Sequence, residues 1–168
     1  MNRLATAFVI GGMLLSACGS AVAPALSRSS PTATPTARAT PSAEASAPPS
    51  DLILSDSKYG KILFDGSGRT LYLFGADTGA ASRCYDACAA AWPPFVVSHS
   101  PVAGQGLAVA LVSTATRAGG ALQVVYNGHP LYYYAGDHAP GEIKCQAVVE
   151  FGGGWYVVDG NGNKITRP

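Results

Sequence analysis

The sequence predicts a mainly β fold: a single domain of two tandem β-hairpin-based repeats with one short helix, placed after a signal peptide and a disordered linker. Three observations predict it. Short β-prone runs alternate with Gly-rich turn signals through residues 51–168 of the 168-residue chain. A Leu-Tyr-x-aromatic-small-small-Asp segment occurs at 71–77 and again 60 positions later, at 131–137. The first 50 residues hold an apolar run and then a stretch of small residues and prolines with little to bury.

The N-terminal segment sets the expected location. Arg3 supplies the positive n-region, and 4–15 is apolar apart from Thr6. That is the length of a signal-peptide h-region, short of the roughly 20 apolar residues that span a bilayer. The run ends in Leu15-Ser16-Ala17-Cys18. A Leu, two small residues and a Cys resemble the lipobox of bacterial lipoprotein precursors. The resemblance implies that 1–17 is a lipoprotein signal peptide and that Cys18 becomes a diacylglyceryl-modified N-terminus. The competing reading is an ordinary secretory signal with Cys18 as a chance neighbour. One acyl chain anchors only marginally, at about 0.8 kcal/mol per buried methylene, whereas two anchor stably. The expected partner is therefore a membrane, reached through the lipid on Cys18, with the protein extracytoplasmic on the plasma or outer membrane. Gly19, not Asp, follows the Cys, so the inner-membrane retention signal is missing at that position.

Residues 18–50 form an Ala/Pro/Ser/Thr-rich segment holding 6 of the 12 prolines. It cannot offset its ordering entropy by burial, so it reads as a disordered tether. As a flexible coil it would reach roughly 30 Å.

Residues 51–168 amount to one domain. Lys and Arg number 8 there against 9 Asp and Glu, so no basic stripe offers itself to a phosphate backbone and nucleic acid is not an expected partner. Runs 61–64 and 69–74 flank Asp65-Gly66-Ser67-Gly68 and read as a hairpin. The helix is expected at 83–91, capped by Ser82, favoured by its alanines and stopped by Pro93 and Pro94. A strand follows at 108–113. Runs 123–126 and 130–134 flank Asn127-Gly128-His129, a hairpin with an Asn-Gly turn. Runs 155–158 and 164–166 flank Asp159-Gly160-Asn161-Gly162 as a third hairpin. Gly-rich stretches at 104–106, 119–120 and 152–154 read as loops. The two hairpin-based copies, at about 52–97 and 108–166, each carry one motif and one following Trp, and so suggest two similar β-units packed together.

Four segments carry a resemblance. They are Leu71-Tyr72-Leu73-Phe74-Gly75-Ala76-Asp77, Cys84-x-x-x-Cys88-Ala89-Ala90-Ala91-Trp92-Pro93-Pro94, Tyr126-Asn127-Gly128-His129-Pro130-Leu131-Tyr132-Tyr133-Tyr134 and Gly153-Gly154-Trp155-Tyr156. Together they resemble predicted bacterial lipoproteins with a Tyr-x-(Phe/Trp/Tyr)-x-x-Asp motif, a family also described as secreted repeats of unknown function. The resemblance covers about 52–158 and implies an exported, often lipid-anchored protein with no established activity. Cys145 departs from the family pattern, which has Gly or a polar residue there.

The motif residues are Tyr72, Phe74, Asp77, Trp92, Tyr132, Tyr134, Asp137 and Trp155. In a strand Tyr72 and Phe74 share one face and Leu71 and Leu73 the other, and both faces are apolar, so these strands should be buried on both sides. Asp77 and Asp137 follow the strand ends, where a carboxylate accepts backbone N–H groups and closes a turn. The alternative is a ligand site with aromatic walls and two carboxylates. A motif repeated with its spacing intact favours the structural role.

With Cys18 lipidated, three cysteines remain. Cys84 and Cys88 lie one helical turn apart, with Cα atoms about 6 Å from each other, within disulfide range, and export favours oxidation. Cys145 is then free, unless it takes one of the other two. The alternative is a redox, metal or haem site. Cys84, Cys88, Cys145, His129 and His138 have the residue types of a zinc or copper centre, and His99, His129 or His138 could meet a haem. The expectation is a disulfide and no cofactor. A Cys-x-x-Cys redox motif and the Cys-x-x-Cys-His of covalent haem are missing from the sequence. So are Gly-x-Ser-x-Gly, His-Glu-x-x-His and a phosphate-binding loop. The run from Asp159 to Asn163 has the look of a calcium loop, but lacks the terminal acid and reads as a turn. The chain is therefore expected to be a non-enzymatic binding or envelope-associated module with an unidentified protein or envelope partner.

Overall fold

The computed structural model describes residues 49–168. Cys18, the signal segment 1–17 and the tether up to Pro48 lie outside the described residues.

The described chain opens with a hairpin that hydrophobic patterning misses, because Ser55-Asp56-Ser57 breaks the run. Strand β1 (Leu52–Ser57) pairs antiparallel with β2 (Gly60–Asp65), Leu52 opposite Asp65 and Ser57 opposite Gly60. Its turn is fixed by Ser57, whose Oγ accepts the Tyr59 N–H at 3.0 Å and donates to the Gly60 carbonyl at 2.7 Å.

The expected hairpin around 65–68 is instead a corner. Asp65 Oδ1 accepts from the Ser67 and Arg69 amides, each at 2.9 Å, and closes the turn as an Asx residue does. Beyond it only the Phe64–Thr70 bridge holds the two arms together. The chain then enters a second sheet as β3 (Tyr72–Phe74), where β7 (His129–Tyr132) and β9 (Gly153–Val157) occupy both edges and leave none for β2.

That sheet has seven strands in the order β4-β6-β7-β3-β9-β8, with β5 on β6. The strands are β4 (Val96–Val97), β5 (Val112–Thr116), β6 (Leu122–Tyr126), β7 (His129–Tyr132), β8 (Val148–Glu150) and β9 (Gly153–Val157). The Asn-Gly hairpin between β6 and β7 forms as expected, with φ of 49° at Asn127 and 78° at Gly128, the left-handed pair that a two-residue hairpin turn requires. The strand expected at 108–113 lies further on. Val109–Leu111 is a 3-10 turn, the Leu111 N–H returning to the Ala108 carbonyl at 2.9 Å, and pairing starts only at Val112. The third expected hairpin shrinks to a Val158–Lys164 bridge, because β9 spends its ladder on β3 and β8. Gly153 and Gly154, expected in a loop, are strand residues. A Cβ at Gly153 would sit 2.6 Å from the Phe74 ring, so a bare backbone is what lets β9 close on β3.

The helix α1 is shorter than expected, Ala87–Ala91, with Asp86 rather than Ser82 at its N-cap. Ser82 and the Cys84 carbonyl are drawn away by Arg117, whose guanidinium donates to both, at 2.8 and 2.6 Å.

Strands β3 and β7 pair antiparallel with Tyr72 opposite Tyr132 and Leu73 opposite Leu131. Equivalent tyrosines of the two copies are thus direct partners, the register that a local twofold axis between repeats produces. Both faces of this pair are buried. One carries Tyr72, Phe74, Trp92, Tyr132 and Trp155, the other Leu71, Leu73, Val124, Tyr126 and Leu131. Among the described residues no helix is long and apolar enough to cross a membrane.

Candidate functional site

The eight motif residues converge at the β3–β7 seam. Tyr72 Oη donates to Asp137 Oδ2 at 2.7 Å, and Tyr132 Oη donates to Asp77 Oδ2 at 2.8 Å. Each repeat's tyrosine therefore satisfies the other repeat's acid. The second oxygen of each acid closes its own loop. Asp77 Oδ1 accepts the Arg83 N–H at 2.7 Å, and Asp137 Oδ1 accepts the Lys144 N–H at 3.0 Å.

The aromatic residues repeat this exchange. Trp92 and Trp155 stack with centroids 4.0 Å apart and planes 6° from parallel. Phe74 of the first repeat stacks on Trp155 at 4.2 Å, and Tyr134 of the second lies against Trp92 at 4.8 Å. Tyr72 and Tyr132 meet Trp92 and Trp155 edge-on, at 5.3 and 5.2 Å. Offset and edge-to-face pairs of this kind add to the stabilisation from burial. Glu150 fastens both indoles, its carboxylate to Trp92 Nε1 at 2.9 Å and its carbonyl to Trp155 Nε1 at 3.3 Å.

Electrostatics follow from burial. Tyr72 and Tyr132 have pKa values far above the usual phenol, first because burial opposes the phenolate; the carboxylate beside each raises it further, and at Tyr132 the Ser82 hydroxyl acts against the rise. Asp77 is raised by burial, against the Arg83 amide, the Tyr132 hydroxyl and the charges of Arg117 and His129. Arg117 is itself buried. It donates to Ser82 Oγ, Gln123 Oε1 and the Cys84 carbonyl and lies over the Tyr85 ring at 4.4 Å. Sequence reasoning missed Arg117, Gln123 and Glu150, because nothing in the spacing of a lone Arg, Gln or Glu announces the partners it meets in the fold, 33 and 35 positions away for Arg117, 58 for Glu150 and on the neighbouring strand for Gln123.

Beside Asp77 a cleft of about 270 Å³ opens between the end of β3 and the 162–164 segment. It is lined by Leu73, Phe74, Gly75, Asp77, His129, Gly162, Asn163 and Lys164. A shallower groove runs between the β1–β2 hairpin and Pro140-Gly141, past Asp56 and Phe64.

Cys84 and Cys88 are joined by a disulfide, with Cα atoms 5.2 Å apart, and the link sits against the Trp92 segment. Cys145 is a free thiol, half-buried beside Tyr134, whose pKa it raises. The structure does not bring the cysteines together with His129 and His138. His129 faces the cleft and His138 is exposed near Glu142, whose carboxylate accepts the His138 N–H at 2.6 Å. Among the described residues no three His, Cys, Asp or Glu side chains cluster as metal ligands would. The 159–163 run is a turn held by Asp159 Oδ1, which accepts the Asn161 and Asn163 amides at 2.9 and 2.8 Å.

A family described as a secreted repeat of unknown function matches the chain twice, over residues 54–96 and 113–159. The two matches fall on the two halves that the β3–β7 seam joins. No curated protein and no solved structure matches the chain.

Proposed function

This chain belongs to the family of secreted repeats of unknown function, two copies of which it carries, and on that premise we propose that it is a lipoprotein anchored through Cys18 that holds a non-enzymatic binding domain outside the cytoplasm. In this reading 1–17 is the signal peptide, 18–50 the tether and 51–168 the binding or envelope-associated module. The Tyr-x-aromatic-x-x-Asp motif is its scaffold.

The reciprocal Tyr72–Asp137 and Tyr132–Asp77 bonds carry this reading. They occupy both carboxylates of the repeated motif and the Tyr72 and Tyr132 phenols, so these polar groups are spent on each other rather than held ready for a substrate proton. A partner is then met beside the Tyr–Asp pairs, by the surfaces that the seam keeps rigid. The lipobox-like 15–18 segment supports the anchor.

The test is labelling in a producing bacterium. Wild-type protein should take up labelled fatty acid and fractionate with membranes. Cys18→Ser should lose the label, since it has no thiol to alkylate. Equal labelling of the variant would overturn the lipoprotein reading.

A further inference from the structure

We propose that the cleft between Asp77, His129 and Lys164 binds a small organic carboxylate. This deepens the binding-module reading by naming a ligand class, and it stands or falls separately from the lipid anchor.

The charges that line the cleft are unequally spent. Lys164 is exposed, its ammonium 5.2 Å from the Tyr156 ring centroid, and no acceptor among the described residues receives its protons. His129, half-buried at the start of β7, likewise has no side-chain hydrogen bond among the described residues. Asp77 is the acid of the cleft, yet its Oδ1 holds the Arg83 amide and its Oδ2 the Tyr132 hydroxyl, with the Arg117 charge nearby. Asp159, on the adjoining turn, is occupied by Asn161 and by the amide and side chain of Asn163. What remains without a hydrogen-bond partner among the described residues is the Lys164 ammonium and the His129 ring. A carboxylate entering the cleft would accept a charge-assisted hydrogen bond from the Lys164 ammonium and a second from a His129 ring N–H, whereas a cation would have to share Asp77 with the Arg83 amide and the Tyr132 hydroxyl.

Size and lining narrow the class. About 270 Å³ lies just under the usual range for small-molecule sites, so the ligand is small. Leu73 and Phe74 give the floor an apolar edge suited to a short hydrocarbon or ring. Gly75 and Gly162 line the cleft with bare backbone. Gly162 has φ +84°, and a Cβ there would collide with Asn127. These features describe a monocarboxylate with a compact apolar body.

The probe is 4-fluorobenzoate, followed by ¹⁹F NMR on the mature chain carrying Cys18→Ser, so that lipid plays no part. Its resonance should shift saturably, while 4-fluorobenzylamine of the same size should not. Lys164→Gln and His129→Gln should each weaken binding about tenfold. Lys61→Gln, a surface lysine paired with Asp56, should leave it unchanged. Near-UV circular dichroism of the Trp92–Trp155 stack checks that each variant is folded. Three results would each overturn the proposal: no shift with folded wild-type protein, equal or tighter binding of the benzylamine, or benzoate binding that survives both cleft substitutions.

Discussion

Tyr72 and Asp137, 65 positions apart in the chain, share a buried 2.7 Å hydrogen bond, and Tyr132 and Asp77 make its mirror across the β3–β7 seam. Each repeat satisfies one oxygen of its own acid and leaves the other to the tyrosine of its neighbour. The motif spacing places the Asp five residues after the Tyr, past the strand end, where it reaches the neighbouring strand's phenol instead of its own. A repeated motif of this kind makes one domain from two copies.

Removing one donor should therefore cost more than a neutral surface change. Tyr72→Phe leaves Asp137 Oδ2 buried without its partner, and should destabilise by about 1–3 kcal/mol in urea unfolding. In a double-mutant cycle with Asp137→Asn the two costs should be strongly non-additive. Simple additivity would show that the bond contributes nothing beyond its two side chains.

Asp77 gives the pair an asymmetric pH response. Burial raises its folded-state pKa above the ordinary 3.8. The folded state then binds the proton more tightly than the unfolded one. Its favourable contribution is complete below the unfolded pKa and is lost as pH rises through the raised folded value. The stability difference between wild type and Asp77→Asn should therefore shift against the wild type as pH climbs upward from 3.8. Glu142 acts in the opposite sense. Lys144, at 2.7 Å, holds it down to about 2, so its contribution is present above the usual carboxylate range and disappears as pH falls towards 2. Running the Asp77 comparison in a Glu142→Gln background separates the two. A flat difference across pH 3.8 to 7 would contradict the burial of Asp77.

Local chemistry was the legible part of this fold. Asn127-Gly128 announced its hairpin, the two Leu-Tyr runs announced strands buried on both faces, and the Cys84–Cys88 spacing pointed to the disulfide. Pairing between distant segments was not legible. Ser55-Asp56-Ser57 hid β1, since polar residues on a half-exposed strand break the alternation on which a strand is recognised. Gly152-Gly153-Gly154 looked like a loop because the need for bare backbone under the Phe74 ring is a tertiary fact. Ser82 looked like a helix cap because its true partners, Arg117 and Tyr132, lie 35 and 50 residues away. The cleft was invisible for the same reason: His129 and Lys164 are 35 positions apart, and only the folded sheet makes them neighbours.

The disulfide should be dispensable for folding. It closes a loop of only four positions, worth about 2 kcal/mol in the chain-entropy view. Arg117 also pins the Cys84 carbonyl, so the segment has a second fastening. Cys84→Ala with Cys88→Ala should fold, with a lower Tm and an unchanged near-UV spectrum. Non-reducing mass mapping of the wild type should find one alkylatable thiol, Cys145, and a Cys84–Cys145 or Cys88–Cys145 link would contradict the pairing.

The tether can be tested by limited proteolysis. If 18–50 is an unstructured spacer, trypsin should cut at Arg28 and Arg38 well before it reaches the arginines and lysines of the domain, leaving a fragment that retains 51–168. Protection of both sites would mean that the segment is packed or covered.

Among the described residues, Phe151 is the one large side chain held at a positive φ, where a large side chain is costly. It sits at the first position of the β8–β9 turn with φ 52°, followed by Gly152 at 81°, and is 48 % exposed. The β6–β7 turn has the same two-residue geometry, 49° then 78°, and fills it with Asn127-Gly128. Asn tolerates the left-handed region, whereas a bulky residue there costs about 1–3 kcal/mol. Phe151→Asn would give the second hairpin the turn chemistry of the first, and would remove an exposed aromatic. It should stabilise the domain by about 1 kcal/mol and raise Tm by about 3–5 °C. Glu150 beside it must keep its bonds to Trp92 and Trp155, so an unchanged near-UV spectrum is part of the expected result. An unchanged or lower Tm would mean that the Phe151 ring makes a contact on the hairpin that outweighs the strain of its backbone.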